Sequence, residues 1–356
     1  MHVSFRYYLM LKLISQINGE RTLSGIIHIL QGRQSVQAIQ DCAFFHIQPL
    51  YHTFDMLERG HLLSLSDDCL GKGWISQLNG DHEKYALTPS GIDTLSQLAD
   101  RHSFPQDLKY TENVRMETDF WLKLQLCVQT LSELIHGSHS FLPVSHRAGI
   151  TEAVRRFIIG SRARRKDLAC ALYEELYSLL ETMPVTEADI LCLQLSGYGM
   201  PGLTVDQTGS AVKIDTYQSH VFSKAAIRRL LHTVSNIPSD FPTLARLMSK
   251  KRNDLSRSAE ETYHLIKEGL TFEKLTEQRQ LSHGTIEDHI IELTLKIPGF
   301  NISSFLPDSV NQMIIKSATR LHTKQLKPIK KELRDQASYF QIRLALAKEA
   351  VEREGN

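Results

Sequence analysis

The chain has little of what most catalytic or exported proteins need. Its 356 residues hold five cysteines, Cys42, Cys69, Cys127, Cys170 and Cys192, scattered without a Cys-x-x-Cys pair. That excludes a zinc ribbon and a secreted disulfide framework. Charge of one sign is also lacking: Lys plus Arg number 41 against 40 for Asp plus Glu, a net charge of +1. No global field marks a nucleic-acid partner, so any phosphate affinity has to come from local patches. No apolar run reaches transmembrane length. The opening MHVSFRYYLMLKLISQING is interrupted by Arg6 and Lys12 and lacks a small-residue cleavage site. The expectation is a protein of the reducing cytoplasm with no membrane partner.

Catalytic signatures are missing as well. There is no G-x-x-x-x-G-K-[ST] loop to cradle a nucleotide, so the chain does not power strand separation by itself. His-Glu-x-x-His, a calcium loop, a dinucleotide fingerprint and a Gly-x-Ser-x-Gly elbow are likewise absent. The run His136-Gly-Ser-His139, with His146 nearby, sits in a Gly/Ser context without the fixed backbone and fourth ligand of a tetrahedral site. It reads as a polar loop. No carboxylate pair stands in a context for acid–base work. A non-enzyme without cofactor or metal is expected.

What is present is helical periodicity, and the expected fold is mainly α: a multi-domain helix-turn-helix protein with a small β-hairpin wing in its N-terminal domain. Turn and polar residues mark three regions, 1–105, 106–255 and 256–356, each with a helix-turn-helix candidate. In the first, a short helix opens at Gln34-Ser35 and runs through Cys42. A longer helix then starts with Pro49 in its first turn, carries Leu50, Phe54 and Leu57 on one face, and stops at Gly60. HLLSL reads as a strand, and Asn79-Gly80 as the tight turn between extended WISQL and KYALT. A helix near Pro89 closes the unit. ERGHLL…KYALTPSG resembles the winged-helix superfamily over roughly residues 20–98.

The second region begins with the amphipathic METDFWLKLQLCVQTLSELIHG, which reads as packing surface, and GYGMPG at 197–202 reads as a loop. Residues 203–231 resemble the last DNA-reading motif of bacterial sigma factors. Leu203-Thr204 opens the first helix, Gly209 lies inside it, Ile214 marks the turn, and the second helix ends in Ala226-Ile227-Arg228-Arg229-Leu230. Lys224, Arg228 and Arg229 give that helix a charge suited to phosphate.

In the third region, helices are expected at 259–267, 271–279 and 285–296. Leu275 and Leu281 should pack beside Ile286, Ile290, Leu293 and Ile297, whose spacings of four, three and four define one face. LPDSVNQMIIKSATRL and SYFQIRLALAKEAV supply two more helices, bridged by LHTKQLKPIKKELRD. SAEETYHLIKEGLTFEKLTEQRQLSHGTIEDHIIEL and LKPIKKEL…SYFQIRLALA resemble the helix-turn-helix domain at the C-terminus of many RecQ-type DNA helicases, over residues 258–350. The same domain occurs in the YpbB family, whose layout of winged front, sigma-like middle and this tail the chain also resembles. That resemblance implies an accessory role beside a RecQ-type helicase in repair or recombination, and it carries no catalytic residues.

Three basic clusters are candidates for phosphate. They are Arg155, Arg156, Arg162, Arg164, Arg165 and Lys166; then Lys250, Lys251, Arg252 and Arg257; then Lys324, Lys327, Lys330, Lys331 and Arg334. Cations at this density neutralise several phosphates with sequence-independent, salt-sensitive affinity, although charge runs are commonly solvated faces. The second helix of the third motif is different. A base reader wants Arg, Asn, Gln or Lys at its start, whereas this one offers Thr285, Glu287, Asp288 and Glu292. Those four are expected to form a partner-docking platform. The reading is a DNA-binding accessory protein acting on forked, single-stranded or duplex DNA. A winged-helix transcription regulator and a protein–protein scaffold remain alternatives.

Overall fold

A computed structural model describes residues 4–78, 83–111, 114–161, 163–249 and 255–354. In chain order the elements are α1 (Phe5–Ile17), α2 (Leu23–Leu30), α3 (Val36–Phe45), a 3-10 turn (Gln48–Leu50), α4 (Arg59–Gly71), β1 (Ile75–Gln77), β2 (Tyr85–Leu87) and α5 (Pro89–Ala99). A second 3-10 turn (Gln106–Lys109) leads to α6 (Val114–Ile135), α7 (Ala148–Gly160), α8 (Arg165–Glu181), α9 (Val185–Leu193), α10 (Val205–Ala211), α11 (Thr216–Asn236) and α12 (Pro242–Leu247). The chain ends with α13 (Arg257–Lys267), α14 (Phe272–Arg279), α15 (His283–Lys296), α16 (Asp308–Leu321), α17 (Leu326–Glu332) and α18 (Tyr339–Glu354). The protein is mainly α, and among the described residues its one sheet is the antiparallel β1–β2 hairpin, with Ser76 opposite Ala86.

The chain folds as two compact units. Residues 1–10 and 94–252 form one, and residues 11–93 and 253–356 form the other. The first and third sequence regions therefore contribute to the same unit, and α1 and α5 each contribute to both.

The first unit is a helical core with periodic causes. Phe120, Leu124, Cys127 and Leu131 of α6 recur every three or four residues and are buried, as do Ile150, Val154 and Phe157 of α7. Leu168, Leu172, Leu176 and Leu179 line one face of α8, while Ile227, Leu230 and Val234 of α11 complete the cluster. Each fully buried Leu, Ile or Phe contributes about 1.5–3 kcal/mol. Around the α10–α11 turn, Thr204 and Gln207 close a reciprocal capping box, and Asp215 caps α11. Thr208 and Ser219 share a buried hydroxyl contact of 2.9 Å across the turn. Gly209 permits this approach, since a Cβ there would lie 3.1 Å from that of Ser219. The expected first helix, its glycine and the turn at Ile214 are all found, but α11 runs on to Asn236. GYGMPG is a loop closed by a bridge between Gly197 and Met200.

In the second unit, α2, α3 and α4 precede the hairpin in winged-helix order. Two local expectations fail. The segment after Pro49 is only a 3-10 turn followed by irregular chain. The amides of His52 and Phe54 donate to the carbonyls of Ile29 and Leu30, and His52 takes a left-handed φ of 57°, so tertiary contacts replace the helical bonds. HLLSL is not a strand but part of α4, where Leu62, Leu65 and Cys69 share a buried face. The hairpin and the helix at Pro89 are found where expected, while the Asn79-Gly80 turn lies outside the described residues. Gly91 fits the start of α5 against the hairpin, because any Cβ would fall 1.8 Å from the Trp74 carbonyl oxygen.

The centre of this unit is α15, packed against α3, α13 and α18. Ile286, Ile290, Ile291 and Leu293 are each fully buried, beside Ile342, Leu344 and Leu346 of α18 and Phe44 of α3. The three helices of the third motif begin within two residues of their expected starts, and Gln280 makes its turn in the left-handed region. The basic bridge after α16 holds a helix of its own, α17.

Candidate nucleic-acid interface

A helix that reads the major groove needs an exposed face, and neither α11 nor α15 has the one expected. In α11, Arg228 is 1% exposed. Its Nε donates to Glu117 of α6 at 2.9 Å and an Nη to the Leu108 carbonyl at 2.7 Å. Lys224, also buried, lies 3.6 Å from the same carboxylate. Arg229 turns to Asp107 at 3.2 Å and to the carbonyl of Thr182. These three cations were expected to face phosphate. They are instead fastened to the 3-10 turn, α6 and the end of α8, which corrects that expectation. An uncompensated buried guanidinium is costly, and the neighbouring carboxylate is what makes its burial tolerable.

In α15, Glu292 is 4% exposed and accepts from the backbone N–H of Ser256 at 2.7 Å, the Ser256 hydroxyl at 2.8 Å and Lys296 at 3.1 Å. It fixes the start of α13 and offers nothing to a partner, a second correction. Asp288 pairs with Arg343 of α18 at 2.7 Å, and Arg343 also donates to Gln40 of α3 at 3.1 Å. Thr285 and Glu287 are half-buried, and burial raises the Glu287 carboxyl despite the nearby Arg343. His289 is buried against Thr262 at 2.8 Å, and burial with the nearby Arg279 lowers its pKa.

The first basic cluster is the opposite case. Arg155 and Arg156 of α7 are exposed, as are Arg164, Arg165 and Lys166 at the start of α8. Arg162 lies outside the described residues. Exposed carboxylates approach them only at long range, Glu152 at 3.6 Å from Arg156 and Asp167 at 3.7 Å from Arg164. Such pairs are worth little in water and leave the cations open to phosphate. The backbone N–H groups of the first turn of α8 add a positive end to the same corner.

The third cluster is divided. Lys327, Lys331 and Arg334 are exposed. Lys330 is turned inward to the Ala337 carbonyl at 2.9 Å. Lys324 lies over the Phe45 ring at 5.7 Å, and burial lowers its pKa. Its backbone N–H is bound by Glu20 at 2.9 Å. In the intervening cluster Arg257 is exposed, with Glu261 at 3.5 Å, while Lys250, Lys251 and Arg252 lie outside the described residues.

The segment before the hairpin supplies a further exposed surface. Immediately before the hairpin, α4 exposes Arg59, His61, Ser64, Asp67 and Asp68. Arg59 is paired with Glu83 at the foot of β2. The missed signal was helical spacing across HLLSL.

Among the described residues no group of three or more His, Cys, Asp or Glu is placed to hold a metal ion. The Nδ1–H of His136 donates to the Ser132 carbonyl at 2.8 Å, and its ring stacks on Tyr198 at 4.7 Å. Burial pushes the Cys69 and Cys127 thiols up to about 12, which keeps them unreactive. No helix among the described residues is long and apolar enough to cross a membrane.

Comparison with known proteins bears on this geometry. A model described as a helix-turn-helix domain matches residues 258–346, from α13 into α18. Protein YpbB of Bacillus subtilis (strain 168) is 26% identical over 351 residues, which cover 98% of this chain and 99% of that protein. The chain is YpbB-like along almost its whole length. No solved structure gives a significant match. The resemblance to the YpbB family read from the C-terminal motif thus extends through both units. A helix-turn-helix domain suggests DNA binding.

Proposed function

We propose that the protein is a non-catalytic, cytoplasmic DNA-binding accessory factor that partners a RecQ-type helicase in DNA repair or recombination. The observation that carries the DNA part is the exposed corner formed by Arg155, Arg156, Arg164, Arg165 and Lys166 in a chain with a matched helix-turn-helix domain. Lys327, Lys331 and Arg334 are the second group proposed to meet phosphate. Contacts of this kind follow the backbone and carry no base sequence. With Lys224 and Arg228 of α11 buried and Arg229 paired, the protein holds DNA by charge and structure rather than by major-groove reading. The helicase partner rests on the likeness of the C-terminal motif to domains carried by RecQ-type helicases. Thr285, Glu287 and Asp288 are retained as the proposed partner contact.

The exposed surface of α4 beside the hairpin supports a second reading, a winged-helix regulator selecting one duplex sequence. Fluorescence anisotropy with duplex, single-stranded and forked DNA, titrated across salt, separates the two. Structure-selective binding that weakens steeply with salt supports the accessory role. Tight binding to one duplex sequence supports the regulator. A cognate helicase whose DNA binding, unwinding and assembly are all unchanged by this protein would end the helicase proposal.

A further inference from the structure

The outward face of α8 carries an aromatic stripe beside its basic start. Lys166, Cys170, Tyr173 and Tyr177 are spaced four, three and four apart, and all are exposed. They form one stripe, opposite the buried Leu168, Leu172, Leu176 and Leu179. The tyrosines are large side chains left in water, 65% and 49% exposed. Their rings stack on each other with centroids 5.7 Å apart and planes 24° from parallel.

We propose that this face of α8 binds single-stranded DNA, with Tyr173 and Tyr177 carrying unpaired bases and Arg164, Arg165 and Lys166 holding the adjoining phosphates. Sequence-tolerant single-strand sites combine a cationic track with aromatic side chains on which bases stack. Both parts lie on one rigid helix here. Lys166 and Tyr173 are seven residues apart, about 10 Å along the axis. Arg155 and Arg156 extend the cationic end onto α7. The stripe's neighbours are polar or charged, among them Asp167, Glu174 and Ser178. A partner protein's anchor pocket is instead apolar and desolvated. Duplex DNA is a poor occupant because its base faces are already covered by stacking. The acidic Glu174 and Glu181 lie toward the tyrosine end.

The inference rests on the DNA-binding reading, and its test separates the two. The full chain is titrated against fluorescein-labelled oligothymidylate and against a blunt duplex. Replacing both tyrosines (Tyr173→Ala with Tyr177→Ala) should weaken oligothymidylate binding by about tenfold or more, the loss expected when base–aromatic stacking is removed. Duplex affinity should not change. The conservative pair Tyr173→Phe and Tyr177→Phe should restore binding, because the ring faces remain. Undiminished oligothymidylate binding by the alanine pair would overturn the inference, as would a phenylalanine pair that binds no better. A wild-type chain that binds duplex but not oligothymidylate would also overturn it, leaving the broader reading in place. A wild-type chain that binds neither would remove both.

Discussion

The α10–α11 and α14–α15 motifs share an outline and bury their second helices by different means. In α11 the problem is positive charge. Lys224 and Arg228 enter the core, and Glu117, more than a hundred residues away in sequence, neutralises them there. In α15 the problem is negative charge, met by using two carboxylates as acceptors for groups on neighbouring helices: Glu292 for Ser256 and Asp288 for Arg343. In both cases a charge that looked available for recognition serves the fold, Arg228 in α11 and Glu292 in α15. The exposed charge of α7 and the start of α8 contributes little to the fold and remains available to a ligand. A helix-turn-helix outline in this protein therefore marks a structural centre. The groups proposed to face phosphate are marked by exposure rather than by position in the motif.

The sharpest way to break that contrast is to cut the buried pair. Arg228→Ala should destabilise the protein by about 3–5 kcal/mol, because it leaves the Glu117 carboxylate in the core without its guanidinium. Urea denaturation measures this. A loss below about 1 kcal/mol would show that the pair is not as buried as described.

A second, smaller effect sits beside it. Burial, with Asp107 adding to it and Arg229 opposing, pushes the Glu187 carboxyl from 4.5 up to about 7. The folded protein then binds this proton more tightly than the unfolded chain. The stability linked to it is fully present below about pH 4.5 and is lost as pH rises through about 7. At 1.36 kcal/mol per pKa unit, the difference is about 3–3.5 kcal/mol. Glu187→Gln should raise the thermal midpoint at pH 8 and leave it nearly unchanged at pH 4.5. Equal shifts at both pH values would contradict the assignment.

Gly209→Ala tests the close approach inside the α10–α11 turn. Its new methyl meets the Ser219 Cβ at 3.1 Å, and an overpacked core contact costs about 1–3 kcal/mol. The corresponding loss should appear in the denaturation midpoint.

The smallest effect on stability belongs to α15's outer carboxylates. Glu287→Ala with Asp288→Ala removes one partly exposed ion pair, worth about 0–1 kcal/mol. DNA affinity should hold or rise, since two negative charges are gone. Loss of sequence-specific DNA recognition with partner binding intact would contradict the view of this helix as a platform.

Much of this architecture was legible because apolar spacing is a local property. The runs of α6 and of α13 to α15, the capping residues Thr204 and Ser282, and the hairpin segments all carry their cause within a few neighbouring residues. Misreadings arose where distant contacts decide. Leu50, Phe54 and Leu57 have helical spacing, yet bonds to the end of α2 hold their backbone irregular. HLLSL alternates like a strand only until Leu62, Leu65 and Cys69 are placed on a helix. The candidate site divided in the same way. Exposure of Arg164, Arg165 and Lys166 follows from their place before the buried stripe of α8. Burial of Arg228 depends on Glu117, a partner that no spacing within α11 reveals.

The central claim is most directly tested by hydrogen exchange of the full chain with and without single-stranded DNA. The account predicts that DNA slows exchange around residues 155–166 and along α8. It should leave the first turns of α11 and α15, residues 216–220 and 283–288, unchanged. Protection appearing in those two turns, with α7 and α8 unaffected, would mean that the second helices do meet DNA and that the account is wrong.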